Sequence, residues 1–194
     1  MVDRRPPQPS ADQAFPTPPA GLAAPPAHSA APPLPRSEPV RIRIPAIGVN
    51  ASLARLGLDR AGALRPPPDG DPGVAGWYGG GTAPGSRGTA VTTGHVDTRD
   101  GSTGVFYRLG AVTKGETIEI DRADGRTAVF TVDAVEVYDK DRFPDRKVYG
   151  TSGRPELRVI TCGGGAGDGG YRGNVVVYAT LTGARHYKSG ARAG

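Results

Sequence analysis

The chain has a single cysteine, Cys162, in 194 residues, which excludes an intramolecular disulfide and any zinc site built on several thiolates. Basic runs with interleaved aromatics are missing too, and aromatics make up only 6% of the residues. The net charge of +5 therefore describes a solvated, mildly cationic surface, and no nucleic-acid partner is expected. No window approaches the run of about 18 apolar residues that spans a membrane, and Met1-Val2-Asp3-Arg4-Arg5 lacks the apolar stretch of a signal peptide. Any membrane attachment is expected to come from an anchor outside this chain. Sustained 3.6-residue periodicity is absent, which removes helical bundles from consideration.

Proline is abundant but unevenly spread, with 12 of 20 residues falling before Val40. Stretches such as Pro16-Thr17-Pro18-Pro19-Ala20 and Ala31-Pro32-Pro33-Leu34-Pro35 carry too little apolar surface to offset the entropy of ordering. Residues 1–39 are expected to form a disordered or polyproline-II-like linker, and deleting residues 1 to about 37 is expected to leave the melting temperature and the peptide-cleavage rate nearly unchanged. Residues 40–194 are expected to form one folded domain.

From Val40 onward the apolar pattern has period two. Val40, Ile42 and Ile44 alternate with Arg41 and Arg43, Ile118 and Ile120 alternate with Thr117 and Glu119, and Leu157 and Val159 lead toward Cys162. Between Thr127 and Tyr138 the parity switches, from Phe130 and Val132 to Val135 and Val137, which predicts a bulge near Asp133. Val175-Val176-Val177-Tyr178-Ala179 is apolar on both parities and predicts a central strand covered on both faces, or the seam of a barrel. Turn clusters at Pro66-Pro67-Pro68-Asp69-Gly70, Gly79-Gly80-Gly81, Asp124-Gly125 and Gly163-Gly164-Gly165 punctuate these runs. The fold class is all-β, barrel or sandwich, with room for a short helix at 52–58 or 104–109. A closed barrel is favoured because closure leaves no edge strands.

Three residues invite a chemical reading. Residues 156–161 deliver Cys162 to a strand end, directly before three glycines that let another chain approach closely. A free cysteine is often a small buried hydrophobe, but one at such a strand end is also a candidate nucleophile. Arg172 stands just before the next apolar strand, so a loop that folds the two strands back as neighbours brings it to the same end of the sheet. A guanidinium there supplies a fixed charge for a thiolate or an oxyanion; otherwise it is a solvated strand-end arginine. Of the three histidines only His95 ends a core strand, and departure of an amine from a tetrahedral intermediate needs a proton donor of that kind. A thiolate and a protonated imidazole acting together predict a bell-shaped pH dependence.

Thr93-Gly94-His95, Ile160-Thr161-Cys162 and Arg172 ahead of Asn174-Val175-Val176-Val177-Tyr178-Ala179, in that order, resemble the His, Cys and Arg motifs of sortases. Gly76-Trp77-Tyr78, Val105-Phe106-Tyr107-Arg108-Leu109 and Val148-Tyr149-Gly150 are similar to the class F sortases of actinobacteria, and the likeness runs from about Val40 to Gly183. The resemblance implies a closed eight-stranded β-barrel. It implies Cys162 as nucleophile and His95 as proton donor to the leaving glycine amine and later as base toward the incoming amine. Arg172 would then stabilise the oxyanion and position substrate, with Thr161 and Thr93 as substrate-binding residues. The implied reaction cleaves an LPXTG-like sorting signal between Thr and Gly through a thioester. An amine from a peptidoglycan precursor or another protein resolves it, outside the cytoplasm, on a membrane-tethered enzyme at the cell surface. No cofactor is expected, and no metal, since the acidic cluster that binds calcium in some class A members has no clear counterpart. The alternatives are a hydrolytic cysteine peptidase of the same fold and a non-catalytic barrel that binds wall polymer with Cys162 buried. Gly85-Ser86-Arg87-Gly88 has the wrong spacing for a serine-hydrolase elbow.

Overall fold

The computed structural model describes residues 6–21, 28–68, 71, 73–98, 100–162 and 173–187. Its strands are β1 (Pro39–Ile44), β2 (Val49–Leu56), β3 (Val74–Tyr78), β4 (Gly88–His95), β5 (Thr117–Arg122), β6 (Arg126–Asp139), β7 (Pro155–Cys162) and β8 (Gly173–His186). One short helix, α1 (Asp145–Tyr149), lies between β6 and β7. Hydrogen bonding arranges the strands as β1-β2-β3-β4-β7-β8-β6-β5, and β5 returns to β1 to close a barrel. Neighbours run antiparallel except at β2–β3 and β4–β7, which are parallel.

Alternation explains why these segments pair as they do. In β1, Ile42 and Ile44 enter the barrel, while Arg43 stays outside and bonds Glu119 and Asp121 across β5. Ile118, Ile120, Phe130, Leu157, Val159, Val175, Val177 and Leu181 fill the same interior, joined by Phe106, Leu109 and Val112 from the β4–β5 connection. The parity switch in β6 coincides with a register shift between Val132 and Ala134, as a bulge at Asp133 requires. The displaced Asp133 is buried and accepts a hydrogen bond from Thr180 Oγ1 at 2.6 Å. A second register shift, between Val129 and Phe130, had no parity signal because Ala128, Val129 and Phe130 are apolar in succession.

β8 lies between β7 and β6 and is buried on both faces from Val175 to Ala179. Its outer face belongs to a second apolar layer of Val91, Ala134, Val148, Ile160, Val176 and Tyr178, with Phe15, Leu64, Tyr78, Tyr138 and Phe143 packed against it. The helix allowed for at 52–58 is instead largely strand β2, because Val49 and Ala51 alternate into the core and both edges of the segment pair, with β1 and with β3. Residues 104–109 form turns that lead into a single 3-10 turn at Leu109–Ala111.

The proline-rich segment lies along the barrel where it is described. Composition suggested no docking side chains, but Ala31 and Leu34 pack against the core cluster, and their N–H groups donate to Leu181 O at 2.7 Å and Gly85 O at 2.8 Å. The Phe15 ring meets Tyr178 edge-on at 4.9 Å. Fully buried Arg122 donates to Pro35 O from this segment and to Pro84 O, and pairs with Asp124. Isolated docking side chains and backbone carbonyls leave no periodicity, which explains why composition did not reveal them. Deleting residues 1–37 is expected to cost about 2 kcal/mol and lower the melting temperature by about 4–8 °C. An unchanged midpoint in a thermal melt would restore the free-linker expectation.

Candidate active site

β4 and β7 pair in parallel register from Gly88↔Pro155 to His95↔Cys162. Parallel neighbours lie about 4.8 Å apart, so two side chains at one register position on the same face are in contact distance. Ala90, Leu157 and Val159 point into the core. Alternation therefore puts Thr89, Val91, Thr93 and His95 of β4 on the outer face with Glu156, Arg158, Ile160 and Cys162 of β7. At the end of this double row His95 Nδ1 lies 3.8 Å from Cys162 Sγ.

The backbone around the pair is tightly held. Val96 N–H donates to Cys162 O at 3.2 Å and Phe106 N–H to His95 O at 3.0 Å. A Cβ on Gly94 would stand 2.5 Å from the Phe106 ring, and one on Gly104 would stand 2.2 Å from His95 O, so only glycine allows the 104–106 turn to press against the strand end. On the far side of the imidazole, Nε2 lies 2.9 Å from the carbonyl oxygen of Pro67.

Burial pushes the Cys162 thiol above its ordinary range, while a hydrogen bond from the Thr93 side chain and the charge of Lys140 pull the other way. The described surroundings thus favour the neutral thiol over the thiolate. Thr93 sits beside the sulfur. Thr161, only 2% exposed, faces the interior instead, and its hydroxyl accepts the Val175 N–H at 2.9 Å, stitching β7 to β8. Arg172 and Gly163–Gly165 lie outside the described residues. β8 runs antiparallel to β7 in the register Ile160↔Val176, so Gly173 opens it at the Cys162 end of the sheet.

Farther down the outer face of β4 is a cavity of about 700 Å³ lined by Thr89 and Val91 of β4, by Leu58, Leu64 and Tyr78, and by Asp145 and Tyr149 of α1. Sequence reasoning missed the residue that holds the α1 wall. Arg158, 5% exposed, donates from Nε to Val148 O at 2.9 Å and lays its guanidinium over the Tyr178 ring at 4.5 Å. Its signal was an arginine at an outward position within the apolar run Leu157-Arg158-Val159-Ile160. Among the described residues no three His, Cys, Asp or Glu side chains converge as metal ligands, and no helix is long and apolar enough to cross a membrane.

A barrel with a Cys–His pair at adjacent parallel strand ends defines a candidate cysteine acyl-transfer site. The family model of the sortase domain matches residues 42–182, so the chain belongs to the sortase family, whose members are transpeptidases. The fold is similar to Listeria monocytogenes sortase A, with a TM-score of 0.57 and 19% identity over 79% of this chain and 93% of that one. It is also similar to Clostridium perfringens sortase D5 transpeptidase, with a TM-score of 0.53 and 19% identity over 76% and 82% of the two chains. Sortase A from Corynebacterium diphtheriae aligns with a TM-score of 0.53 and 22% identity, over 76% of this chain and 62% of that one. No curated protein sequence matches the chain.

Because burial raises the thiol pKa, alkylation of Cys162 is expected to accelerate with pH through the region above a free thiol's value of about 8.5. Thr93→Val removes a group that favours the thiolate. It should move that rise farther up and slow alkylation near pH 8 by about 2- to 10-fold, the worth of one hydrogen bond. Equal rates for the two proteins would remove Thr93 from the site.

Proposed function

We propose that the chain is a cysteine transpeptidase of the class F sortase kind, acting on an LPXTG-like sorting signal between Thr and Gly. The single observation that supports this most is the 3.8 Å approach of Cys162 Sγ to His95 Nδ1 on one outer face of the barrel. In the proposed reaction the Cys162 proton passes to His95 as sulfur attacks the threonine carbonyl. His95 then returns that proton to the departing glycine amine, leaving a thioester. An amine attacks the thioester, His95 takes its proton, and the thiolate leaves and is reprotonated. Arg172 stabilises the oxyanion and positions substrate, and Thr93 contacts the acyl group near the sulfur. Thr161 acts through the β7–β8 stitch. The outer face from His95 through Thr93 to the cavity at Val91 offers a groove for the acyl side of the peptide.

In this reading residues 1–39 connect the catalytic domain, residues 40–194, to a membrane anchor at the cell surface. The amine acceptor is a peptidoglycan precursor or another protein, and no cofactor takes part.

The test is incubation with an LPXTG peptide and triglycine, read by mass spectrometry. Ligated product is expected, and Cys162→Ala should abolish both the thioester and all turnover while keeping the fold. Arg172→Lys keeps the charge but loses the forked geometry, and its rate should fall about 10²- to 10³-fold. Cleavage without ligation at any amine concentration would assign the chain to the peptidases. An unreactive peptide together with an unreactive thiol would assign it to the binding barrels.

A further inference from the structure

The run Pro66-Pro67-Pro68 in the β2–β3 connection has no part in the acyl-transfer scheme above, yet it ends against the imidazole. Pro67 O lies 2.9 Å from His95 Nε2, and Nδ1 of the same ring faces the Cys162 sulfur at 3.8 Å. A carbonyl oxygen can only accept, so this contact is a hydrogen bond when Nε2 carries the proton. A neutral imidazole has one N–H, which leaves Nδ1 as the basic nitrogen, on the side of the sulfur.

We propose that the Pro67 carbonyl is a positioning group for acyl transfer, holding His95 in the Nε2–H tautomer so that Nδ1 exchanges protons with sulfur and amine. The inference rests on the proposed chemistry at Cys162. The proton count closes. Nδ1 takes the thiol proton while Nε2–H stays on Pro67 O, and Nδ1 gives the same proton to the leaving amine, restoring the starting tautomer. Among the described residues the imidazole has no carboxylate partner, so the orienting task that an Asp performs in a Ser-His-Asp triad falls to a main-chain carbonyl.

The local sequence suits that task. The Pro67 ring confines its own φ, and Pro68 confines the ψ of the residue before it, so both soft dihedrals that aim the carbonyl are restricted. The connection is also tied down on its N-terminal side. Arg65 N–H donates to Gly57 O at 3.0 Å, Leu58 bridges Leu64, and Leu64 packs against the outer apolar layer that includes Val91 and Ile160.

The test is nitrogen-15 NMR of histidine-labelled protein without substrate, with His95 assigned by its loss in His95→Gln. In its neutral form the native His95 should show a protonated Nε2 and an unprotonated Nδ1. In Pro66→Gly/Pro67→Gly/Pro68→Gly the tautomers should mix, and the kcat of ligation should fall about 10- to 100-fold, the cost of a misplaced catalytic group. The single change Pro68→Ala should give an intermediate loss, and thermal melts should show the native fold in both variants. A native Nδ1–H tautomer would overturn the proposal, as would a triple-glycine variant that keeps both the native tautomer and the native kcat. If the tautomer shifts as expected but even the native protein forms no thioester, the positioning of His95 by Pro67 stands and the proposed transpeptidation falls.

Discussion

The parallel pairing of β4 with β7 is the constraint on which the rest of the molecule depends. Parallel strands cannot be joined by a tight turn, so the chain needs a long crossover, and residues 96–154 supply it with β5, β6 and α1. That crossover builds the opposite wall of the barrel and one wall of the groove. The pairing is sensitive to register, because a slip of one residue would set Gly94 or Val96 opposite Cys162 and turn every side chain of one strand to the other face. Several independent contacts hold the register. Ala90, Leu157 and Val159 are committed to the core, Thr92 Oγ1 donates to Arg158 O at 3.0 Å, and Val96 N–H closes the pair on Cys162 O.

Burial on both faces of β4, β7 and β8 has a structural consequence at the groove. The outer apolar layer that covers these strands also seats α1 through Val148, receives Leu64 from the β2–β3 connection and docks Phe15 from the N-terminal segment. Arg158 joins α1 to β7; burial lowers the pKa of its guanidinium, and the charges of Glu156, Tyr178 and Asp133 counter that only in part. Lys147 of α1 lies over the Phe15 ring at 5.4 Å. One continuous layer thus links the N-terminal segment, the helix that walls the groove and the strands that carry the Cys–His pair.

Much of the barrel was legible in the sequence because a strand with one buried face alternates visibly. The parity switch around Asp133 gave the bulge, and the unbroken run from Val175 to Ala179 gave the doubly covered strand. Other features left no local trace. α1, at five residues, is too short to show a helical period, and the pairing of His95 with Cys162 joins residues 67 apart through strands whose partners no local pattern names. The Thr161 side chain, expected beside substrate, obeys the same alternation as its strand. Being one residue from Cys162, it faces inward. Pro67 was read only as part of a turn, because what reaches the imidazole is a backbone carbonyl, and a carbonyl has no residue signature.

The electrostatics of the pair bear on how a thiol in this position would react. Burial favours the thiol over the thiolate, and among the described residues no buried carboxylate stands against the imidazole to hold it as a cation. In the proposed scheme the carbonyl at Nε2 orients the ring without supplying a charge. In that scheme charge develops only when a carbonyl is seated against the sulfur and the thiol proton crosses to Nδ1, within reach of an oxyanion donor. In the proposed scheme this makes acylation slow toward stray electrophiles and faster toward a peptide held in the groove. It also leaves the thioester facing a base that only an incoming N–H or O–H can engage. A well-seated amine meets that requirement better than bulk water does, because positioning beside Nδ1 replaces the entropy cost of a chance encounter.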